Sequence, residues 1–244
     1  MPTTKGNVIS VILAAGNGRR MGGKFKQFLR LRGRPVLVHS IEKFLQLQLV
    51  KAIIVVVPET KKRYATQLIS RYIKDDRILV VAGGRNRRES MYVALEHINE
   101  QSNLKKGVGV ILAHDAARPT IKTKDILRIV EEAEVHGGAV AAIPTVDLPL
   151  HVKEGMLVTP LKKEEIYRGL TPQGFRFQDL WDAHVRACEL KNLDSAADNL
   201  EILKATGSSI RVRIVETEDI PKITFPDDMR RVSRILSGNA KVEV

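Results

Sequence analysis

Short apolar runs recur along the chain, separated by amphipathic stretches of helical period. Residues 8–13 (VISVIL), 52–57 (AIIVVV), 78–82, 108–113 (VGVILA) and 139–143 are brief and rich in β-branched or small apolar residues. That is the pattern of strands covered on both faces of a parallel sheet. Between them, Leu37, Ile41, Phe44, Leu45 and Leu47 fall on helical spacing within 36–49, and 59–74, 88–98, 124–135 and 178–190 read as further helices. Strand following helix following strand implies right-handed crossovers and a mostly parallel twisted sheet with helices on both faces, an α/β fold. In such sheets ligands sit beyond the carboxyl ends of the strands, which directs attention to the residues just after each apolar run. Phe175, Phe177 and Trp181 are expected to pack the helix at 178–190 onto the sheet, and Asp227 and Asp228 to cap a final helix ending at Ser237.

The first run leads straight into AAGNGRRMGGKFKQF. Ala14, Ala15, Gly16 and Gly18 remove side-chain bulk, so backbone N–H groups can approach a polyphosphate closely. Arg19, Arg20, Lys24 and Lys26 come next, cations suited to charge on a transferred phosphoryl group. The spacing is neither that of a Walker loop nor that of a dinucleotide fingerprint, so another kind of nucleotide site is required. After the strand at 78–82 comes GGRNRRES, in which Gly83 and Gly84 permit close approach to a base or ribose and Ser90 can hydrogen-bond a heterocycle edge. After the strand at 108–113 comes HDAARP. A carboxylate at Asp115, flanked by Ala116 and Ala117, is poorly explained by packing and well suited to Mg²⁺ bridging triphosphate oxygens. With no Cys/His cluster at ligand spacing, His114 is read as a structural histidine.

Composition narrows the class. The 244 residues suffice for one large domain, and no Pro/Gly/Ser-rich linker divides 1–244. Forty Lys and Arg against 28 Asp and Glu give a net charge of +12, a field that attracts anionic ligands. The basic residues are dispersed and the aromatics few, which argues against a nucleic-acid stacking platform and for a phosphate-rich small substrate. No apolar run approaches the roughly 18 residues of a membrane span. MPTTKGN lacks a signal-peptide pattern and the single Cys188 cannot form an internal disulfide, so the expectation is a cytoplasmic protein.

Together with LTPQGF at 170–175 and IPKITFPDDM at 220–229, these motifs resemble, in order, the cytidylyltransferases of the 2-C-methyl-D-erythritol 4-phosphate type, a family that includes the pentitol-phosphate cytidylyltransferases. The resemblance implies a Rossmann-like nucleotidyltransferase fold and a homodimer that couples CTP to a polyol phosphate, releases pyrophosphate and uses Mg²⁺. The implied acceptor is methylerythritol phosphate of the non-mevalonate isoprenoid route, with ribitol 5-phosphate or another polyol phosphate as the alternative. Carried over by position, Arg20, Lys26 and Lys222 would be catalytic, with Lys24 as the substitute for Lys26. Ala14, Ala15, Gly16, Gly18, Gly84, Arg87, Ser90, Asp115 and Ala116 would bind the nucleotide, and Asp115 and Asp219 the metal. Arg118, Asp147, Lys163 and Thr171 would bind the acceptor, Lys163 from an arm at 148–168 that embraces the partner subunit.

Three departures from the family pattern bear on the acceptor. Leu148 stands where a Thr is expected, Lys163 replaces an Arg and loses its bidentate fork, and Ala197, Asp198 and Asn199 replace the wording of an acidic segment. A nucleotidyltransferase using another base and a non-catalytic nucleotide-binding protein are the readings from other classes.

Overall fold

The computed structural model describes residues 7–190 and 198–238. In chain order the elements are β1 (Val8–Leu13), β2 (Arg30–Leu31), β3 (Arg34–Pro35), α1 (Val36–Leu45), β4 (Val50–Val57), α2 (Lys62–Tyr72), β5 (Ile78–Ala82), α3 (Arg87–Glu100), α4 (Ser102–Lys105) and β6 (Val110–Asp115). They continue with α5 (Thr123–His136), β7 (Gly137–Pro144), β8 (Leu150–Lys153), β9 (Met156–Pro160), β10 (Tyr167–Arg176), α6 (Phe177–Glu189), α7 (Asn199–Ala205), β11 (Arg211–Glu216) and α8 (Asp228–Leu236). Seven strands form one sheet in the order β11-β7-β10-β6-β1-β4-β5. All its ladders are parallel except those of β10, which runs antiparallel to both β6 and β7.

The period-2 alternation of the strands divides the core into two layers. Val8 and Ile12 of β1 join Leu37, Ile41 and Phe44 of α1 and Ile129 of α5 on one face. Ile9 and Val11 join Met91, Leu95 and Ile98 of α3 and Phe175, Phe177 and Leu180 near α6 on the other. Phe175 and Phe177 are buried as expected, while the half-buried Trp181 packs against this second layer and stacks on Tyr92 with ring centroids 5.8 Å apart.

Several expectations change. The helix read across 36–49 ends at Leu45; Leu47 and Leu49 are buried in the turn that leads into β4, where the Val50 N–H donates to the Leu47 carbonyl. The strand read at 108–113 runs on to Asp115, because His114 and Asp115 still pair with Ile12 and Leu13 of β1. β10 is a strand despite Pro172, Gly169 and Gly174. Its ladder with β7 shifts register between Gly169 and Gln173, and a bulge is where a sheet tolerates proline. Asp227 and Asp228 do not cap α8 with their side chains. The Asp228 carboxylate instead accepts from the Thr224 and Phe225 N–H groups at 2.7 and 2.8 Å, closing the turn before the helix.

The stretch read as an arm is a hairpin, β8–β9, turned by Glu154 (φ 52°) and Gly155 (φ 80°) and exposed along its whole length. Two central residues with positive φ make the twist of a two-residue hairpin turn.

Phe175 joins β10 and α6 to the sheet with no exposed surface. Phe175→Ala is expected to cost about 3–5 kcal/mol and to lower Tm by roughly 10 °C in a chain of this size. A thermal unfolding midpoint close to that of the parent chain would show that this layer does not depend on the ring.

Candidate active site

A cavity of about 460 Å³ opens at the carboxyl ends of β1, β5 and β6. Its first wall is the loop after β1. Ala15, Gly16, Asn17 and Gly18 all line it, and among the described residues their four backbone N–H groups find no partner within the chain. The loop is held from behind by Gln27, which is buried and donates from Nε2 to the carbonyl oxygens of Ala14 at 2.6 Å and Gly16 at 3.2 Å. With those carbonyls engaged on Gln27, the free N–H groups are left for an anion. Gly18 adopts φ +66°, and a Cβ there would lie 1.9 Å from the Lys24 carbonyl oxygen, so only glycine closes this turn.

The second wall is the start of α3. Asn86 caps the helix, its side chain accepting from the Glu89 N–H at 2.8 Å, and the Ser90 hydroxyl donates to the Asn86 carbonyl at 2.7 Å. Ser90 and Gly84 both line the cavity. The reason for the glycine pair is more local than close approach to a ligand. A Cβ on Gly84 would lie 2.3 Å from Cβ of Glu89, and one on Gly83 would lie 2.8 Å from both Ala15 and Ser90. Both are needed to pack the loop onto its own helix.

Asp115 occupies the floor, at the end of β6. Its Oδ2 faces Lys222 Nζ at 2.8 Å and Arg118 Nε at 3.5 Å, and its Oδ1 faces Arg87 Nε at 3.7 Å. Burial alone would push this carboxyl up, but Lys222, Arg87 and Arg118 outweigh it and hold the group far below the usual carboxylate range. The carboxylate is itself positioned by the strand bulge: Thr171 accepts from the Asp115 N–H at 3.1 Å while its hydroxyl also meets Nδ1 of His114 at 3.2 Å. His114 Nε2 pairs with the Arg118 carbonyl at 3.1 Å, and burial pushes the ring down to about 4, so it is a neutral structural group near neutral pH. Arg87 is shared with a second carboxylate, Asp198 at 3.2 Å, which takes two hydrogen bonds from Gln173. Ala197, next to it, lies outside the described residues.

Lys26 and Arg20 complete the lining. Lys26 donates to the Ile223 carbonyl at 2.6 Å, and burial, with Lys222 beside it, pushes its ammonium down to about 8. Lys24 is exposed and does not line the cavity, which favours Lys26 of the two. The Arg20 guanidinium lies 5.9 Å from the Phe225 ring centroid. Four cations (Arg20, Lys26, Arg87, Lys222) and Arg85 thus stand against one lining carboxylate, an arrangement fit to hold a polyanion.

Other expected site residues are not in this cavity. Thr171 is buried, with its hydroxyl committed to His114 and Asp115. Arg118 is anchored by the Ile220 carbonyl and braces Asp115. Asp147 and Lys163 are exposed around the hairpin. Asp219 has an arginine on each carboxylate oxygen and does not line the cavity. Among the described residues no three His, Cys, Asp or Glu side chains gather into a metal cage. Asp115, the one carboxylate lining the cavity among the described residues, is the residue that would hold a Mg²⁺, through Oδ1, whose facing cation stands at 3.7 Å; Asp219, with arginines at 2.7 and 2.6 Å on its two oxygens and outside the cavity lining, does not fit. Gln27 is a site residue to which the sequence motifs assigned no role; its amide supplies the two N–H donors that the loop carbonyls take.

The model of the IspD family, 2-C-methyl-D-erythritol 4-phosphate cytidylyltransferase, matches residues 8–238. The chain belongs to this family. Relatives named 2-C-methyl-D-erythritol 4-phosphate cytidylyltransferase include one from Bacillus mycoides, 31% identical over 90% of this chain and 93% of its own. Another, from Bacillus licheniformis, is 31% identical over 96% and 97%. The crystal structure of the Francisella tularensis IspD superimposes with a TM-score of 0.76 at 27% identity, covering 94% of this chain and 99% of its own. In fold alone, the 4-diphosphocytidyl-2C-methyl-D-erythritol synthase of Anaerococcus prevotii matches with a TM-score of 0.81 at 20% identity. The sheet and helices therefore form the α/β fold of the nucleotidyltransferases, and the chain is an IspD-type cytidylyltransferase.

A lysine that titrates at about 8 carries its charge below that pH and loses it above. The kcat/KM for CTP, which reports the free enzyme, is expected to fall as pH rises through about 8, and Lys26→Arg to move that limb to higher pH. Lys26→Ala should cost on the order of 100-fold in kcat, with Lys24→Ala within about tenfold of the parent enzyme. The reverse ranking would transfer the role to Lys24.

Proposed function

We propose that this enzyme transfers the cytidylyl group of CTP to the phosphate of 2-C-methyl-D-erythritol 4-phosphate and releases pyrophosphate. The observation that carries this reading is Asp115 held between Lys222 and Arg87 in one cavity with a loop whose four backbone N–H groups have no partner among the described residues. The triphosphate lies along that loop, and Gly84 and Ser90 face the base. The nucleophile is a phosphate monoester oxygen, already largely ionised near neutral pH because its second pKa is about 6. It forms a bond to the α-phosphorus of CTP while the bridging α–β oxygen bond breaks, and the electron pair leaves with pyrophosphate. No proton has to be removed, in keeping with a site that holds no basic histidine among its lining residues.

What the site must supply is alignment of two polyanions and relief of their repulsion. Arg20 and Lys26 serve the β- and γ-phosphates, and Lys222 the reacting phosphoryl oxygens. We propose Mg²⁺ as cofactor, held by Asp115; when bound, it neutralises triphosphate charge.

We further propose that the enzyme works as a homodimer through the hairpin. Seven of the twelve large apolar side chains exposed among the described residues lie between Val146 and Val158. A two-stranded hairpin with an apolar surface is marginal alone and calls for a covering partner. Lys163, exposed in the turn before β10, would then reach the neighbouring site. A lone exposed cysteine, Cys188, fits a reducing compartment, and we place the enzyme in the cytoplasm.

Pyrophosphate release from CTP and Mg²⁺ should appear with methylerythritol 4-phosphate, and UTP and ATP should turn over at least about tenfold more slowly. Turnover with ribitol 5-phosphate alone would move the acceptor to the alternative, and absence of CTP binding would overturn the function. Sedimentation at micromolar concentration is expected to give a dimer that Leu157→Glu dissociates. A monomer at that concentration in the parent chain would remove the hairpin from any dimer role.

A further inference from the structure

Asp219 is built into an arrangement that its expected place beside a metal does not explain. Its Oδ1 accepts from Arg168 Nη2 at 2.7 Å, and its Oδ2 accepts from Arg231 Nη2 at 2.6 Å. The two arginines come from different elements, Arg168 from the start of β10 and Arg231 from α8. Both side chains are largely exposed, 60% and 62%, whereas Asp219 between them is 29% exposed. Each guanidinium has five N–H donors and, among the described residues, commits only Nη2. In a chain already at +12, a carboxylate that brings two like charges together leaves a local surplus of one positive charge.

Exposed ion pairs add little stability, so the fold gains little from this grouping as such. A metal at Asp219 would have to displace an arginine from either oxygen. A phosphate monoester dianion, by contrast, is what two convergent guanidinium groups with unused donors receive best, through bidentate hydrogen bonds.

The position suits an incoming second substrate. Ile220, next in the chain, accepts from Arg118, whose Nε lies 3.5 Å from Asp115 Oδ2. Lys222, two residues further, reaches the same oxygen at 2.8 Å. Arg118 also feels the charges of both Arg168 and Asp219, so the pair adjoins the residue that stands on the Oδ2 side of Asp115, whereas Arg87 stands at Oδ1.

We propose that Arg168 and Arg231, held together by Asp219, receive the phosphate group of the acceptor in cis, and that Asp219 positions them rather than binding metal. This rests on the cytidylyltransferase reading above. It also gives the chain the guanidinium fork that Lys163 lacks.

Arg168→Gln, Arg231→Gln and Asp219→Asn in the full chain test it. The expected result is that each arginine variant raises KM for methylerythritol 4-phosphate about tenfold or more, with KM for CTP and the half-saturating Mg²⁺ concentration within about twofold of the parent. Arg168→Lys should recover little of the loss, since lysine offers no fork. Asp219→Asn should raise the acceptor KM and leave the Mg²⁺ dependence in place. An Asp219→Asn enzyme whose Mg²⁺ requirement shifts about tenfold at constant acceptor KM would restore Asp219 to the metal and overturn the proposal, as would arginine variants with unchanged acceptor KM. Calorimetric titration of parent and variants with methylerythritol 4-phosphate, ribitol 5-phosphate and inorganic phosphate reads the pair without turnover. If the parent failed to transfer from CTP, weaker phosphate binding in both arginine variants would still support the pair, and equal or absent binding in parent and variants would refute it.

Discussion

The buried carboxylate of Asp115 is the constraint on which the site depends. Burial of such a charge carries a penalty of several kcal/mol unless partners of opposite sign are fixed around it. Here the partners come from three separate places: Arg87 from the first turn of α3, Arg118 from the loop after β6, and Lys222 from the segment after β11. Meeting at one carboxylate, they tie the C-terminal segment and the start of α3 to the centre of the sheet. The same cluster leaves positive charge in excess, and burial with Lys222 nearby depresses Lys26, whose ammonium leans on the Ile223 carbonyl. A bound polyphosphate would relieve that excess, so the cost of assembling like charges is set against substrate binding.

Around this charge centre, the backbone is held by neutral side chains acting on carbonyl and N–H groups. Gln27 takes the carbonyls of Ala14 and Gly16, Asn86 caps α3, and Thr171 takes the N–H of Asp115. None of these groups needs to touch a substrate. They fix where donors point, which is the form of preorganisation that stabilises charge at no reorganisation cost during reaction.

The periphery is built on different terms. The β8–β9 hairpin is apolar and exposed, while the Arg168–Asp219–Arg231 group is charged and exposed. Each would be unfavourable or idle in an isolated chain, the first through uncovered apolar area and the second through grouped like charge. As proposed above, each has a counterpart: a second subunit for the hairpin, a phosphate for the arginine pair.

Much of this was legible in the chain itself. The β-branched runs 8–13 and 78–82 coincide with β1 and β5, and the small-residue loop after β1, the GGRNRRES turn and Asp115 all come together at one cavity, because strand ends in a parallel sheet lie on a common edge. What local pattern could not give is β10, in which Pro172 and two glycines hide a strand, or the charged alternation of β11 at the sheet edge. Nor could it give the partners of polar groups. Thr171 faces His114 and Asp115 rather than the cavity, Lys26 lines the site while Lys24 does not, and Asp219 lies between two arginines. The sequence by itself determined the periodicity of the elements and the residue types at their ends, since both arise from short-range sterics and burial. Only the tertiary structure decided which charges share a carboxylate, because those partners lie up to 107 residues apart and meet only when the sheet has formed.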